Sequence, residues 1–544
     1  MQTSPYEEGS PSAPILFIGE APSSQEVIQG RPFVGPAGQQ FNRFLTEAGI
    51  VRSDCYIVNT SREPIQDVKE FRGKNGLTGR GLMLAEDLKA RLIQARATPN
   101  IIVPLGALAT TAATSDSRPI GKIRGSPLPC TLLPGNEAIP TIHPAATLSY
   151  KYGARSGGNY LWRYHIVSDL KKALRHSHQP GIQRPDRTLL VGPSFLDAMD
   201  FLKEMKQASR VGFDIEVYNH QVSCISFAAD PLLAMSIPFA WDHFTETQEA
   251  QLWRSIASVL EDPSIEKVGQ FVSFDISFLM FKNHIRTRGR ILDSYIGQRI
   301  LYPEFPAGLD FLCSIYTDEP YYKDDKKEWT RLDGDYERFW RYNARDAACC
   351  LEVWNNGIEP ELMSDQDFMH TYNLTMRALE PCLFMMLNGI RIDRKRLAET
   401  KIQVERELVE LQKQLDEVSE RPFNPLSPKQ CVSYFYGIKG LKPYINRKTK
   451  SPTCDDKALA RIIRRDNLLE ARLVQQIRGK RKLLSNYLDI DCDPDDRLRC
   501  FYNIRGTVTG RLSSSKTVWG TGMNFQNLPP AFKQFLVPDA IRTN

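Results

Sequence analysis

The sequence contains no Cys-x-x-Cys pair, and its eleven cysteines are scattered without framework spacing. An odd count in that pattern excludes a disulfide scaffold and points to reduced thiols in the cytoplasm. Cys349 and Cys350 are adjacent, which suits neither a local disulfide nor a metal knuckle. The eight histidines form no cluster with cysteine, so a structural zinc site is not expected. No apolar run approaches the ~20 residues that a membrane-spanning helix needs. The N-terminus, MQTSPYEEGSPSAP, is polar and acidic where a signal peptide has a basic start and an apolar stretch. A cytoplasmic protein with no membrane partner is therefore expected. Strong net charge is missing too. Seventy basic and 64 acidic side chains leave +6, so overall charge names no partner class. There is no internal repeat and no low-complexity tract.

What is present is ordinary globular composition, 42% hydrophobic and 25% charged, over 544 residues. That length implies several domains, each able to bury a core. Two polar, turn-rich stretches mark boundaries, HSHQPGIQRPDR (176–187) and GIEPELMSDQD (357–367). The expected division is a flexible tail over 1–12 and domains over 13–180, 187–360 and 365–544.

The first domain alternates strand and helix. Strands are expected at Pro14–Gly19, Cys55–Asn59, Asn100–Leu105 and Ile139–Ile142, and helices at Gln39–Gly49 and Leu82–Arg96. Such alternation predicts a parallel α/β sheet with covered faces, whose ligands sit beyond the carboxyl ends of the strands. Beyond those ends stand Glu20, Asn59 and His143. Each alone reads first as an ordinary cap or loop residue. Together they are a carboxylate, an amide and an imidazole able to meet in one crevice.

The blocks GEAPSSQEVIQGRPFVGPAG (19–38), YIVNTSREP (56–64), VPLGALA (103–109) and TIHPAATL (141–148) resemble the uracil-DNA glycosylase superfamily, nearest its family 4 branch. The likeness covers roughly residues 13–175. It implies that a flipped base enters a snug pocket, stacks on Phe33 and is read by the Asn59 amide. It implies that His143 stabilises charge on the leaving base, and that Glu20 orients water or stabilises the sugar cation. Ser23 stands where the family usually has Gly. Many family 4 members hold an iron–sulfur cluster on four cysteines; this segment has only Cys55 and Cys130, so no cluster is expected. Two readings stay open, a working glycosylase and a DNA-gripping or partner-binding module on the same fold.

In the second domain VGFDIEV (211–217) is a strand that puts Asp214 and Glu216 on one face. Two like charges so close need neutralising, and a divalent metal does this with carboxylate oxygens. Asp275 follows in KVGQFVSFDISFLM, and Tyr342 and Asp346 in RYNARDAACCLEVW share a helix face four residues apart. The ordered set Asp-x-Glu, Asp, Tyr-x-x-x-Asp resembles the DEDD exonucleases in their tyrosine form, over roughly 187–357. The resemblance implies a ribonuclease H-like fold and 3′→5′ cleavage of single-stranded DNA ends. Asp214, Glu216, Asp275 and Asp346 would hold two divalent ions, Mg²⁺ or Mn²⁺, and Tyr342 would orient the attacking water. Where such enzymes often carry Asn, four residues before the third carboxylate, this chain has Phe271 with Gln270 beside it. Asp293 fits a further position of such domains and equally an ordinary strand end.

The third domain begins with an expected amphipathic helix over 371–389 and a second over about 394–420. A basic run follows, from Lys439, Lys442, Arg447, Lys448 and Lys450 through Lys457, Arg461, Arg464, Arg465, Arg472 and Arg478 to Lys480, Arg481 and Lys482. With few acids among them, a phosphate-tracking surface is expected. FNPLSPKQCVSYFY (423–436) and TVTGRLSSS with MNFQNLPP (507–530) resemble the thumb and early palm of family A DNA polymerases, over roughly 365–539. By that resemblance the domain is mostly helical with a partial palm. Arg511 would touch primer–template duplex, and Asn524, Gln526 and Asn527 would lie along the template. The family's polymerase carboxylates and fingers would lie further on, and AIRTN (540–544) departs from the family pattern. The chain is expected not to polymerise DNA alone and to pair with a second polypeptide carrying those parts. The three-part fusion resembles replicative polymerases of certain large bacteriophages, which would place it in a bacterial host's cytoplasm. The expectation overall is an α/β multidomain DNA-replication enzyme. A stand-alone repair nuclease and a non-catalytic DNA-binding accessory remain the alternatives.

Overall fold

A computed structural model of the protein describes residues 7–148, 160–240, 242–325, 335–447 and 449–539. Lys448 of the basic run, the 540–544 tail and residues 1–6 lie outside the described residues. The chain forms two compact units, Met1–Met376 and Arg377–Asn544.

The first unit opens with β1 (Ile15–Gly19), α1 (Pro36–Ala48), β2 (Cys55–Asn59), α2 (Gly79–Gln94), β3 (Ile101–Pro104), α3 (Ala107–Thr114), β4 (Leu128–Pro129), β5 (Glu137–Ala138) and α4 (Trp162–His176). The sheet runs β2-β1-β3-β5-β4, parallel except for the β4 edge. All residues of β1 and β2 are buried, as a strand covered on both faces requires. Pro36 starts α1 and Gly49, in the left-handed conformation, ends it; Phe41, Phe44, Leu45 and Ala48 face inward at helical spacing. The strand expected at Ile139–Ile142 is shorter and earlier. Pro140 has no N–H to continue a ladder, and only Thr141 makes a single bridge, to Leu105.

Residues 7–12 are no loose tail. Glu8 pairs through its backbone with Ile57, and its carboxylate accepts from Arg31 and Arg52. Burial opposes that charge, but the two guanidiniums outweigh it and hold Glu8 at about 2.

The rest of this unit comprises β6 (Thr188–Val191), β7 (Arg210–Tyr218), β8 (Gln221–Asp230), β9 (Leu233–Pro238), β10 (Glu266–Gly269), α5 (Ser273–Lys282), β11 (Ile291–Asp293), α6 (Leu309–Tyr316) and α7 (Tyr336–Val353) among its elements. The sheet order is β11-β10-β7-β8-β9-β6. β7 and β9 pair antiparallel with β8, and the outer pairs are parallel. Asp335 caps α7 by accepting from the Arg338 N–H.

The stretch 176–187, read as a domain boundary, is fastened at both ends. His176 lies between Glu137 (2.9 Å) and Asp318 (3.0 Å), and Arg187 pairs with Glu319 and Glu352. Around it the two sheet regions share polar groups away from water. The Arg124 and Asp169 side chains are only 2% and 0% exposed. Arg124 pairs with Asp169 and reaches Ser314 at 3.0 Å, while Thr141 donates to Asp169 at 2.6 Å. Lys172 donates to the carbonyls of Gly125 (2.8 Å), Ser314 (2.7 Å) and Thr317 (2.7 Å). Burial pushes the Lys172 ammonium down to about 8.

The stretch 357–367, read as a boundary, is helical on both sides of a turn at Ser364 and Asp365. The helix expected over 371–389 is two helices, Gln366–Met376 and Leu379–Asn388. Pro381 explains the break, because its ring clashes with the carbonyl four residues back, at Arg377. The units divide at that point.

The second unit holds β12 (Ile390–Ile392), α8 (Arg394–Ser419), α9 (Asp456–Asp466), α10 (Leu469–Leu483), β13 (Arg497–Leu498), β14 (Phe501–Asn503), β15 (Ser513–Ser515) and β16 (Leu536–Val537). β12 pairs antiparallel with β13 and β16, and β14 with β15. Val404, Leu408, Leu415, Leu459, Val474 and Ile477 share one core with Phe532 and Phe535.

Candidate active sites

The first site forms at the carboxyl ends of β1, β2 and β3. Phe33 is buried against Phe41, with ring centroids 4.8 Å apart, and lies 6.1 Å from the His143 ring. Its backbone takes the left-handed conformation, and Arg52 donates to the neighbouring Pro32 carbonyl at 2.8 Å. A Cβ on Gly19 would lie 2.2 Å from Asn59 Oδ1 and 2.8 Å from the Phe33 ring, so only glycine leaves space between amide and ring. Gly106, at a φ of 96°, does the same between Glu20 and His143, where a Cβ would lie 2.6 Å from Glu20 Oε1 and 3.1 Å from His143 Cβ. The structure thus brings Phe33, Asn59, Glu20 and His143 around two glycines.

Glu20 Oε1 accepts the Leu108 N–H at 2.9 Å, at the start of α3. His143 Nδ1 accepts the Ala145 N–H at 3.2 Å, leaving the proton of a neutral ring on Nε2. Loss of water contact lowers its pKa against the opposing pull of Glu20 and Glu26. A neutral ring donating from Nε2 suits an oxygen on which negative charge develops. Arg52 and Glu8, which fasten the Phe33 loop, gave no signal in the sequence beyond their charge.

The second site centres on β7 and α7. One oxygen each of Asp214, Glu216 and Asp346 lie within 4.8 Å of one another. Burial, then the charges of Asp346, Asp275 and Glu216, push Asp214 well above the usual carboxylate range. Asp275, on α5, stands outside the closest trio and accepts the Ile215 N–H at 3.1 Å. Burial raises it to about 8 despite that bond. Crowded, buried carboxylates that resist ionising are a donor set for a hard divalent cation, so the residues fit such an ion.

Tyr342 lies one helical turn before Asp346, and burial and Asp346 raise its phenol. Three groups at this site were missed in the sequence. Asn343 donates to Asp214 Oδ2 at 2.8 Å. Tyr322 donates to Asp346 Oδ1 at 2.6 Å, and Lys323 to Asp346 Oδ2 at 2.5 Å. Asn343 sits inside the motif beside Tyr342; Tyr322 and Lys323 lie in an irregular stretch that no periodicity marks. Asp293 is a capping residue, accepting from the N–H groups of Phe271, Val272, Tyr295 and Ile296. It holds the backbone at Phe271, where the sequence lacks the expected Asn.

In the second unit Arg511, Gln526 and Asn527 are exposed. Asn524 is engaged locally, its Oδ1 accepting from Gln526 N (2.9 Å) and Ser514 Oγ (2.5 Å). The Gln526 amide donates to the Leu512 carbonyl at 3.0 Å. Of the basic run, Lys457, Arg461, Arg464, Arg465, Arg472, Arg481 and Lys482 are exposed. Arg478 instead donates inward, to the Pro425 and Cys454 carbonyls.

Comparison with known proteins follows this three-part order. The uracil DNA glycosylase superfamily model matches residues 6–166, the 3′-5′ exonuclease model 196–362 and the DNA polymerase family A model 394–542. A type-4 uracil-DNA glycosylase of Thermotoga maritima is 33% identical over 168 residues, 30% of this chain and 79% of that protein. DNA polymerase I of Pseudomonas aeruginosa is 25% identical over 350 residues, 60% of this chain but only 38% of that protein. Among solved structures, the POL domain of Pol1 from M. smegmatis, in complex with DNA primer-template and dNTP, is similar in fold. It has a TM-score of 0.50 and 19% identity, covering 64% of this chain and 57% of that one.

Proposed function

Because the chain belongs to the uracil-DNA glycosylase superfamily through residues 6–166, and carries a 3′–5′ exonuclease domain and a DNA polymerase family A segment behind it, we propose that it is a DNA replication and repair enzyme with two hydrolytic sites. One site removes uracil from DNA. The other trims 3′ ends with the help of divalent metal, Mg²⁺ or Mn²⁺. The observation that carries the exonuclease reading is the trio Asp214, Glu216 and Asp346, each offering an oxygen within 4.8 Å of the others.

Asp214, Glu216, Asp346 and Asp275 are the proposed metal ligands. When bound, such ions supply Lewis acidity for the attacking water and the departing 3′ oxygen. Tyr342 presents its hydroxyl one turn from Asp346, where it orients water. In the first site Phe33 offers a ring face to an extruded base, and the Asn59 amide tells uracil from cytosine by its donor and acceptor pattern. Neutral His143 donates toward the leaving base oxygen, and Glu20 faces the sugar side. In the second unit Arg511, Asn524, Gln526 and Asn527 are the proposed duplex and template contacts, supported by exposed cations on α9 and α10. We propose a second polypeptide as the source of fingers and remaining palm; co-purification tests that part.

The test uses 5′-labelled single-stranded DNA with one internal uracil, incubated with Mg²⁺ or with EDTA. Half of each reaction is treated with alkali. A Mg²⁺-dependent ladder is expected from the exonuclease, and an alkali-dependent break at uracil in EDTA from the glycosylase. Folded protein that yields no ladder overturns the first assignment, and absence of the break overturns the second.

A further inference from the structure

Asp346 has both carboxylate oxygens engaged, Oδ1 by the Tyr322 hydroxyl at 2.6 Å and Oδ2 by the Lys323 ammonium at 2.5 Å. The same ammonium lies 3.1 Å from the Tyr342 hydroxyl. It sits 4.8 Å from the Tyr342 ring centroid and 5.1 Å from that of Tyr322. The Lys323 side chain is only 18% exposed, so this is a built position and not a surface ion pair. Lys323 therefore touches two residues of the ordered exonuclease motif at once. It carries the charge sign that the carboxylate trio calls for.

A divalent ion drawing on Asp214, Glu216 and Asp346 uses the carboxylate that Lys323 already neutralises. An ammonium and a divalent ion on one carboxylate repel each other strongly where water is scarce. We propose that Lys323 is a resident cation of the exonuclease site, one that holds Asp346 and Tyr342 in register without metal and is displaced from Asp346 when metal binds. It thereby sets the metal concentration at which the site fills. Lys323 is a positioning residue in this account, acting through Asp346 and Tyr342. The proposal rests on the exonuclease reading in one respect, that this trio takes a divalent ion.

The test is a calorimetric Mn²⁺ titration of the full chain without DNA, for the wild type, Lys323→Gln and Lys323→Arg. Removing the competing charge in Lys323→Gln is expected to tighten Mn²⁺ binding at least about tenfold, while Lys323→Arg stays within about threefold of the wild type. A merely structural role would lower the melting temperature of Lys323→Gln and leave its Mn²⁺ affinity unmoved. Unchanged affinity in folded Lys323→Gln overturns the proposal. If Lys323→Gln does not fold, reductive methylation of the wild type, mapped by mass spectrometry, decides. Lys323 is expected to react several-fold faster under saturating Mn²⁺ than in EDTA, and equal reactivity overturns the proposal. Mn²⁺ bound by Lys323→Gln but not by the wild type supports the block. Mn²⁺ bound by neither removes the proposal together with the exonuclease reading. Wild-type binding without strand trimming removes only the latter.

Discussion

The Asn343 amide grips Asp214 twice, donating to its side-chain Oδ2 at 2.8 Å and to its carbonyl at 3.1 Å. Its own oxygen accepts from Ser236 at 2.8 Å, so one buried side chain ties α7 to β7 and β9. Groups that orient a ligand carboxylate in this way typically matter 10–100-fold. Asn343→Ala is expected to slow 3′ trimming by about that factor, measured on single-stranded DNA at saturating Mg²⁺. Asp346→Ala removes a proposed ligand outright and should cost more than about 100-fold. Equal rates for Asn343→Ala and wild type would remove this role from Asn343.

Gly19 and His143 permit a separation of the two proposed activities. Gly19→Ala puts a methyl between Asn59 and Phe33 and is expected to abolish uracil excision while 3′ trimming continues at its normal rate. His143→Ala should slow excision by about 10²–10³-fold, the usual loss of a donor to a developing anion. The His143 pKa is lowered, so its neutral form persists as pH falls through the ordinary histidine value of about 6.5. A rate that stays flat through that point and falls only at lower pH is expected in alkali-cleavage assays.

Asp275 and Asp214 give the metal-free protein a pH signature. A carboxyl whose pKa rises on folding stabilises fully below its unfolded value, about 4, and loses that contribution as pH rises through its folded value. For Asp275 that value is about 8. The first unit in EDTA should therefore melt lower at about pH 9 than at about pH 5. Mg²⁺ should recover more melting temperature at the higher pH. Calorimetric scans at the two pH values, with and without metal, check both statements; an equal metal effect would contradict them.

Asp169 offers a stability prediction. Asp169→Ala leaves the Arg124 guanidinium buried without its carboxylate, and losing one partner of a buried pair costs about 3–5 kcal/mol. The expected result is a lower melting temperature for the first unit. A melting curve like that of the wild type would show that the contact contributes little.

Much of the first sheet was legible because β1, β2 and β3 are short, largely apolar and punctuated by glycine, proline or asparagine. Cys55–Asn59 falls where apolar continuity places it, and alternation along β7 sets Asp214 and Glu216 on one face. The glycosylase-like crevice was legible because topology carries residues 20 and 59 to strand ends and residue 143 just past the Thr141 bridge to Leu105. Tyr322, Lys323 and the contacts of Lys172 were not, since each depends on long-range tertiary packing rather than a local period. The helix over 371–389 was misread because an apolar helical pattern continues through Arg377 and Ala378, where the Pro381 ring interrupts the backbone. Arg478 was counted with a solvent-facing run, yet it points at carbonyls, a distinction that lies in tertiary structure and not in charge.

Lys172 has a consequence for anyone who would divide this chain. Its ammonium is coordinated by carbonyls from two sheet regions, one at Gly125 and two at Ser314 and Thr317. Parting the chain between residues 176 and 187 would take two of its three carbonyl partners, those of Ser314 and Thr317, out of the same piece. The glycosylase-like part is thus not a bead on a string, and the spacing between its crevice and the carboxylate trio is set within one compact unit. DNA engaged at both would be measured against that dimension as against a ruler.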